Sequence, residues 1–213
     1  RASGGRADAI LKDARLAYSH KGGRSSLAIY SRYPIENTGV LNFEGSANGA
    51  IHADLTIGNK KVRVYSVHLQ STRLGEDAAE VLKGDNLKNI NKKETQEKYY
   101  RIEEKLSDAF AIRAVQADIL HKHIKSSPYP VIVCGDFNDT PLSYSYRMMS
   151  KGLYDSFIEK GWGLGTTYAG ALPALRIDYI LTDANFEIHS HKRQKKAISD
   201  HYAVMSDVSL INP

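Results

Sequence analysis

Two short segments concentrate side chains able to move protons or hold cations. Val131-Ile132-Val133-Cys134 runs wholly apolar into Gly135-Asp136-Phe137-Asn138. Gly135 permits close backbone approach, and Asp136 and Asn138, two positions apart, point the same way from an extended chain. A carboxylate can accept a proton from water or bind a cation, and a carboxamide can donate to an oxyanion. A capped turn uses the same residue types, so that reading stays open. The second segment is Ser199-Asp200-His201. Its adjacent acid and imidazole suit different tasks, Asp200 binding a cation and His201 contacting substrate.

Two further residues gain meaning beside these. Along Val62 to Gln70, alternation sets Val62, Val64, Ser66 and His68 on one side of a strand, with the imidazole at its end. Read alone, His68 is equally a hydrogen-bonded structural histidine. Asp178 lies inside the apolar run Arg176-Ile177-Asp178-Tyr179-Ile180-Leu181. A buried unpaired carboxylate is costly, so Asp178 needs a cationic, histidine or metal partner.

The elements that must position these residues follow from periodicity. Ala7 to Ala17 reads as a short amphipathic helix broken at Gly22-Gly23. Leu27 to Ser31 reads as a strand stopped by Tyr33-Pro34. Ala50 to Ile57 and Val62 to Leu69 form a predicted antiparallel hairpin across Gly58-Asn59. Between Thr95 and Lys125, Ile102, Leu106, Ala109, Phe110, Ala117, Leu120 and Ile124 recur at helical spacing, predicting one long helix with that face on the core. A central strand at Val131 to Cys134, a short helix near Tyr144 to Ser150, and strands at Ile177 to Leu181 and Tyr202 to Leu210 complete the list. Gly75 to Asn91 reads as a mobile polar loop. Strands in runs with helices between them favour a layered α/β or α+β sandwich.

Bulk properties fit one such domain over residues 1–213, since this length builds a single sizeable core. A formal net charge of +5 hints at an anionic partner, while the basic stretch Lys83 to Lys105 is interrupted by acids and reads as a solvated helix face. The single cysteine, Cys134, excludes an intrachain disulfide framework and suits a buried strand position. Neither a signal-peptide core nor a run of about 18 apolar residues is present, which leaves the compartment open.

Taken together and in order, His68, Gly135-Asp136-Phe137-Asn138, Arg176-Ile177-Asp178-Tyr179-Ile180 and Ser199-Asp200-His201 resemble the motifs of the endonuclease/exonuclease/phosphatase family, DNase I-like enzymes. The resemblance covers Gly22 to Leu210, includes Leu27 to Ile35, and is greatest to bacterial members. It implies a four-layer α/β/β/α sandwich with the site at one end of two sheets. It also implies a metal-dependent phosphoesterase that uses Mg²⁺, with Mn²⁺ as a substitute. In that scheme His68 contacts the scissile phosphate, Asp136 orients or deprotonates water, and Asn138 stabilises the transition state. Asp178 supports by hydrogen bonding, Asp200 helps hold the cation, and His201 binds a phosphate oxygen. Tyr168 and Arg176 line the pocket rim as substrate contacts, although Tyr168 could equally pack. The substrate is a phosphate ester from nucleic acid, a phosphorylated small molecule or a phospholipid headgroup, with no obligate protein partner.

One departure matters. The family's N-terminal strands, one ending in Asn and one in a metal-binding Gln-Glu, have no counterpart before Ala7, and Asp8 and Asp13 belong to a helical pattern. The expectation is therefore an N-terminally incomplete domain. Its alternative is a catalytically silent binding module of the same fold.

Overall fold

A computed structural model describes residues 15–23, 27–72, 92–170, 174–194 and 199–211. The expected helix at Ala7 to Ala17 and the expected loop at Gly75 to Asn91 lie largely or wholly outside these residues. Six strands form the central sheet: β3 (Ile35–Asn42), β4 (Gly49–Ile57), β5 (Lys60–His68), β6 (Val131–Asp136), β8 (Asp178–Thr182) and β7 (Tyr154–Asp155), in that spatial order. Four of its five pairings are antiparallel, and β5 and β6 pair in parallel. Two parallel neighbours require a crossover, and α1 (Lys92–Lys125) supplies it. The β4–β5 turn pivots on Gly58 at φ +64°, a left-handed value that glycine accepts without strain.

Each face of the sheet has its own cover. On one, Tyr65, Val67, Val133, Tyr179 and Leu181 pack with Ala117, Leu120 and Ile124 of α1 and Met149 of α2 (Tyr144–Met149). On the other, Ile51, Ala53 and Leu55 meet Ile29 of β2 (Leu27–Ser31), which pairs with β1 (Tyr18–Gly22). A second ribbon, β9 (Phe186–Arg193) with β10 (Val204–Leu210), adjoins α3 (Ser156–Lys160) and β8. The fold is thus α/β and dominated by one mixed sheet, against which each of the two ribbons packs. No helix among the described residues is long and apolar enough to cross a membrane.

Four strands escaped the periodicity reading, β1, β3, β9 and the two-residue β7. They are polar or only partly buried, so their side chains carry little apolar alternation. The face expected of α1 also needs correction. Ala109, Ala117, Leu120 and Ile124 are buried, but so are Arg113 and Gln116, whereas Phe110 is 47% exposed. Gln116 accepts from the backbone N–H of Gln70, and Arg113 donates to the Gln70 carbonyl at 2.8 Å and to Asp139 at 3.0 Å. A polar stripe on this helix therefore fixes the chain leaving β5.

Candidate active site

Sheet register brings three of the expected residues side by side. His68 ends β5, Asp136 ends β6 and Asp178 begins β8, and they are direct Cα partners across the sheet, His68 with Asp136 and Asp136 with Asp178. Alternation turns all three to the face opposite α1, as it does Ser66 and Cys134. Burial pushes the Cys134 thiol up to about 12, consistent with a packed, inert residue.

The turn after β6 is shaped by its sequence. Gly135 has φ +147°, and a Cβ there would meet the Val67 carbonyl oxygen at 2.0 Å, so only glycine lets β5 and β6 approach at this point. Asn138 adopts φ +51°, a left-handed conformation asparagine tolerates. Its backbone N–H donates to Asp136 Oδ1 at 2.7 Å, and its side-chain Nδ2 donates to the Leu69 carbonyl at 2.9 Å. Capped turn and convergent polar site, alternatives in the sequence, thus coexist here. Thr167 joins the remaining segments: its hydroxyl accepts from the N–H groups of Ile177 and Asp178, and its carbonyl accepts from Tyr202.

His201 lies against the first residue of β8. Its Nδ1 is 2.8 Å from Asp178 Oδ2, which supplies the partner Asp178 needs. That hydrogen bond holds the imidazole pKa up to about 9, so the ring is cationic at neutral pH. Asp136 has no such partner. Its Oδ2 is 3.8 Å from His68 Nε2 and 3.9 Å from His201 Nε2, beyond good hydrogen bonds. Burial, reinforced by the charge of Asp178 and offset by the Asn138 N–H, raises its carboxyl to about 7. His68 is held below its usual value, first by burial and then by cationic His201.

These groups open onto a cavity of about 920 Å³. Asn138, Asp200 and Tyr168 also line it, and Tyr168 meets the His201 ring edge-on with centroids 5.6 Å apart. Asp136, Asp178 and His201 form a group whose ligand atoms lie within 4.8 Å of one another. Asp200, the expected cation ligand, is on the cavity wall but outside that group. Arg176 does not join the site. It is buried against Asp155 at 2.6 Å, with its guanidinium over the rings of Phe157 and Tyr179, so the rim contact expected of it is corrected to a structural one. Sequence reasoning missed Phe110 as a cavity residue and Arg113 and Asp139 as its supports. The available signal was the charged residue interrupting the apolar stripe of α1.

Residues 3–201 match the profile described as the Endonuclease/Exonuclease/phosphatase family. Among solved structures, a mannosyl-6-phosphatase of Bacteroides thetaiotaomicron is similar at 17% identity and a TM-score of 0.62, over 94% of this chain and 81% of that one. The human Nocturnin catalytic domain, solved with a bound sulfate anion, is similar at 14% identity and 0.65, over 95% and 75%. A humanized D. rerio TDP2 follows at 16% identity and 0.61, over 96% and 80%. At such identities the likeness is one of fold. No curated protein sequence matches significantly.

Proposed function

Because the chain belongs to the endonuclease/exonuclease/phosphatase family, we propose that it hydrolyses a phosphate ester by in-line attack of an activated water. The observation that carries this is the mismatch around Asp136: a half-buried carboxylate, its pKa near 7, with no cation within hydrogen-bond reach but a cationic imidazole just beyond it. A group poised near the working pH is suited to general-base catalysis. Asp136 takes the proton of the attacking water. The new P–O bond forms as the ester P–O bond breaks, and the leaving oxygen collects a proton from solvent. Asn138, oriented by Leu69, donates to the phosphorane-like oxygens. His201, held cationic by Asp178, and His68 bind phosphate oxygens.

The residues present suit a hard divalent cation. Three carboxylates, Asp136, Asp178 and Asp200, share this wall with one strongly cationic imidazole, leaving negative charge in excess. Asp178 is engaged by His201 and Asp136 serves as the base, so Asp200 is the carboxylate left to help hold Mg²⁺ or Mn²⁺. Bound there, the cation would neutralise charge on the phosphoryl group and acidify its water.

The test is hydrolysis of bis(p-nitrophenyl) phosphate, followed by a panel of sugar phosphates, nucleic acids, phosphoinositides and sphingomyelin, with Mg²⁺ and with Mn²⁺. Turnover should vanish in His201→Ala and on chelation. Inactivity of the full-length protein across the whole panel would sink the proposal and leave a silent binding module.

A further inference from the structure

The cavity has a second, apolar wall that the hydrolytic chemistry does not use. Leu106, Phe110 and Arg113 stand at i, i+4 and i+7 on α1, and all three line the cavity. Phe110 is 47% exposed although its ring lies over the guanidinium of Arg113, 4.9 Å from centroid to Cζ. Arg113 is 1% exposed, its Nε bonded to Asp139 and its Nη1 to the Gln70 carbonyl. One face of the phenyl ring is thus fixed on an immobile cation, and the rest is presented to the cavity. A large aromatic held this way against solvent gains nothing for the core.

Charge narrows what such a wall can take. Among the described residues lining the cavity, Arg113 is the only lysine or arginine, and it is 1% exposed, with its Nε on Asp139, its Nη1 on the Gln70 carbonyl and one face against Phe110. Beside it stand the uncharged hydroxyls of Ser71, Thr72 and Thr140. Among the described residues of this wall, none offers an exposed cation to a second phosphate. A flat, uncharged group matches it by stacking on Phe110 and packing on Leu106.

We propose that Phe110 and Leu106 form a subsite for a planar, uncharged aromatic group carried on the substrate phosphorus, making this a phosphoesterase selective for aryl- or base-bearing esters over alkyl esters of the same charge. The proposal rests on the phosphoesterase reading of the acidic end of the same cavity. Phosphonates test it, because their C–P bond is not hydrolysed and binding is measured whether or not the protein turns over. Phenylphosphonate and methylphosphonate are titrated against the full-length protein in Mg²⁺ by ligand-observed NMR. Phenylphosphonate should bind about tenfold more tightly. That preference should disappear in Phe110→Ala, persist in Phe110→Tyr, and leave methylphosphonate affinity unchanged. As Phe110 is half exposed, the melting temperature of the alanine variant should stay near that of wild type. Equal binding of the two phosphonates by wild type, or a preference that survives Phe110→Ala, overturns the subsite while leaving the hydrolytic reading intact. Binding of neither removes the phosphate site itself, and the subsite with it.

Discussion

Buried and half-buried aspartates occupy two regimes in this molecule. Asp54, Asp139 and Asp155 each meet an arginine at 3.0 Å or closer: Arg63 at 2.6 Å, Arg113 at 3.0 Å and Arg176 at 2.6 Å. Asp136, one strand-end turn from Asp139, accepts the Asn138 N–H but has as cationic neighbours only imidazoles at 3.8 and 3.9 Å, and its carboxyl is pushed up to about 7. Three acids are matched by a permanent cation, Asp54 by both prongs of the Arg63 fork, and the fourth is matched by nothing permanent. The difference separates scaffold from site. A carboxylate already satisfied by arginine cannot take a proton from water, whereas one left short of charge is ready to take a proton or a metal.

The largest effect should come from breaking a matched pair. Arg113→Ala leaves Asp139 charged and nearly inaccessible to water, a loss of roughly 3–5 kcal/mol for a buried pair. Denaturant unfolding should show that drop, and Arg113→Met combined with Asp139→Asn should recover part of it. If the single variant unfolds like wild type, the matched regime is not structural.

Next in size is the reverse behaviour at Asp136. Asp136→Asn should lower phosphoesterase kcat on the order of 10³-fold, within the range that a general base contributes. The same substitution should stabilise the metal-free protein. The sign follows from linkage: the folded carboxyl titrates near 7 against an ordinary 3.8, so its stabilising contribution is complete below about pH 4 and is lost as pH rises through 7. Asparagine does not titrate. The variant should therefore pull ahead across that window, by on the order of 2–4 kcal/mol at pH 8 in EDTA, and by less in Mg²⁺. A variant less stable than wild type at pH 8 would place Asp136 among the matched acids.

This contrast also marks what the sequence could reveal. His68, Asp136 and Asp178 were legible because each sits at a strand end or within an apolar run, and strand alternation decides which way it points. The pairing of Asp178 was legible as a need for a partner, but its identity as His201 depends on Thr167 and the Tyr168–His201 bridge joining distant segments. Arg176 and Arg113 could not be sorted from sequence. An arginine beside an apolar strand or on an amphipathic helix looks the same whether it faces substrate or a buried acid, and only three-dimensional packing supplies Asp155 or Asp139. The edge strands β1 and β3 were hidden for the opposite reason, since half-exposed strands need little apolar alternation.

The smallest effect lies at the boundary between the regimes, in Asp178 and His201. Their 2.8 Å hydrogen bond is the main cause that lifts the imidazole from its ordinary 6.5 to about 9. Asp178→Asn removes that cause, so the His201 pKa, read from imidazole NMR shifts, should fall back toward 6.5. In wild type the raised pKa adds stability that is complete below about pH 6.5 and is lost as pH rises through 9. The site is partly open to solvent, which screens the pair, so wild type should exceed the variant by about 1 kcal/mol at pH 6 and by almost nothing at pH 10. Activity near neutrality should fall as well, because a neutral His201 binds phosphate oxygen less strongly. If His201 still titrates near 9 in Asp178→Asn, its proton is held by Asp136 instead. Asp136 would then be one more matched acid, and the base of the proposed reaction would have to be sought elsewhere in the cavity.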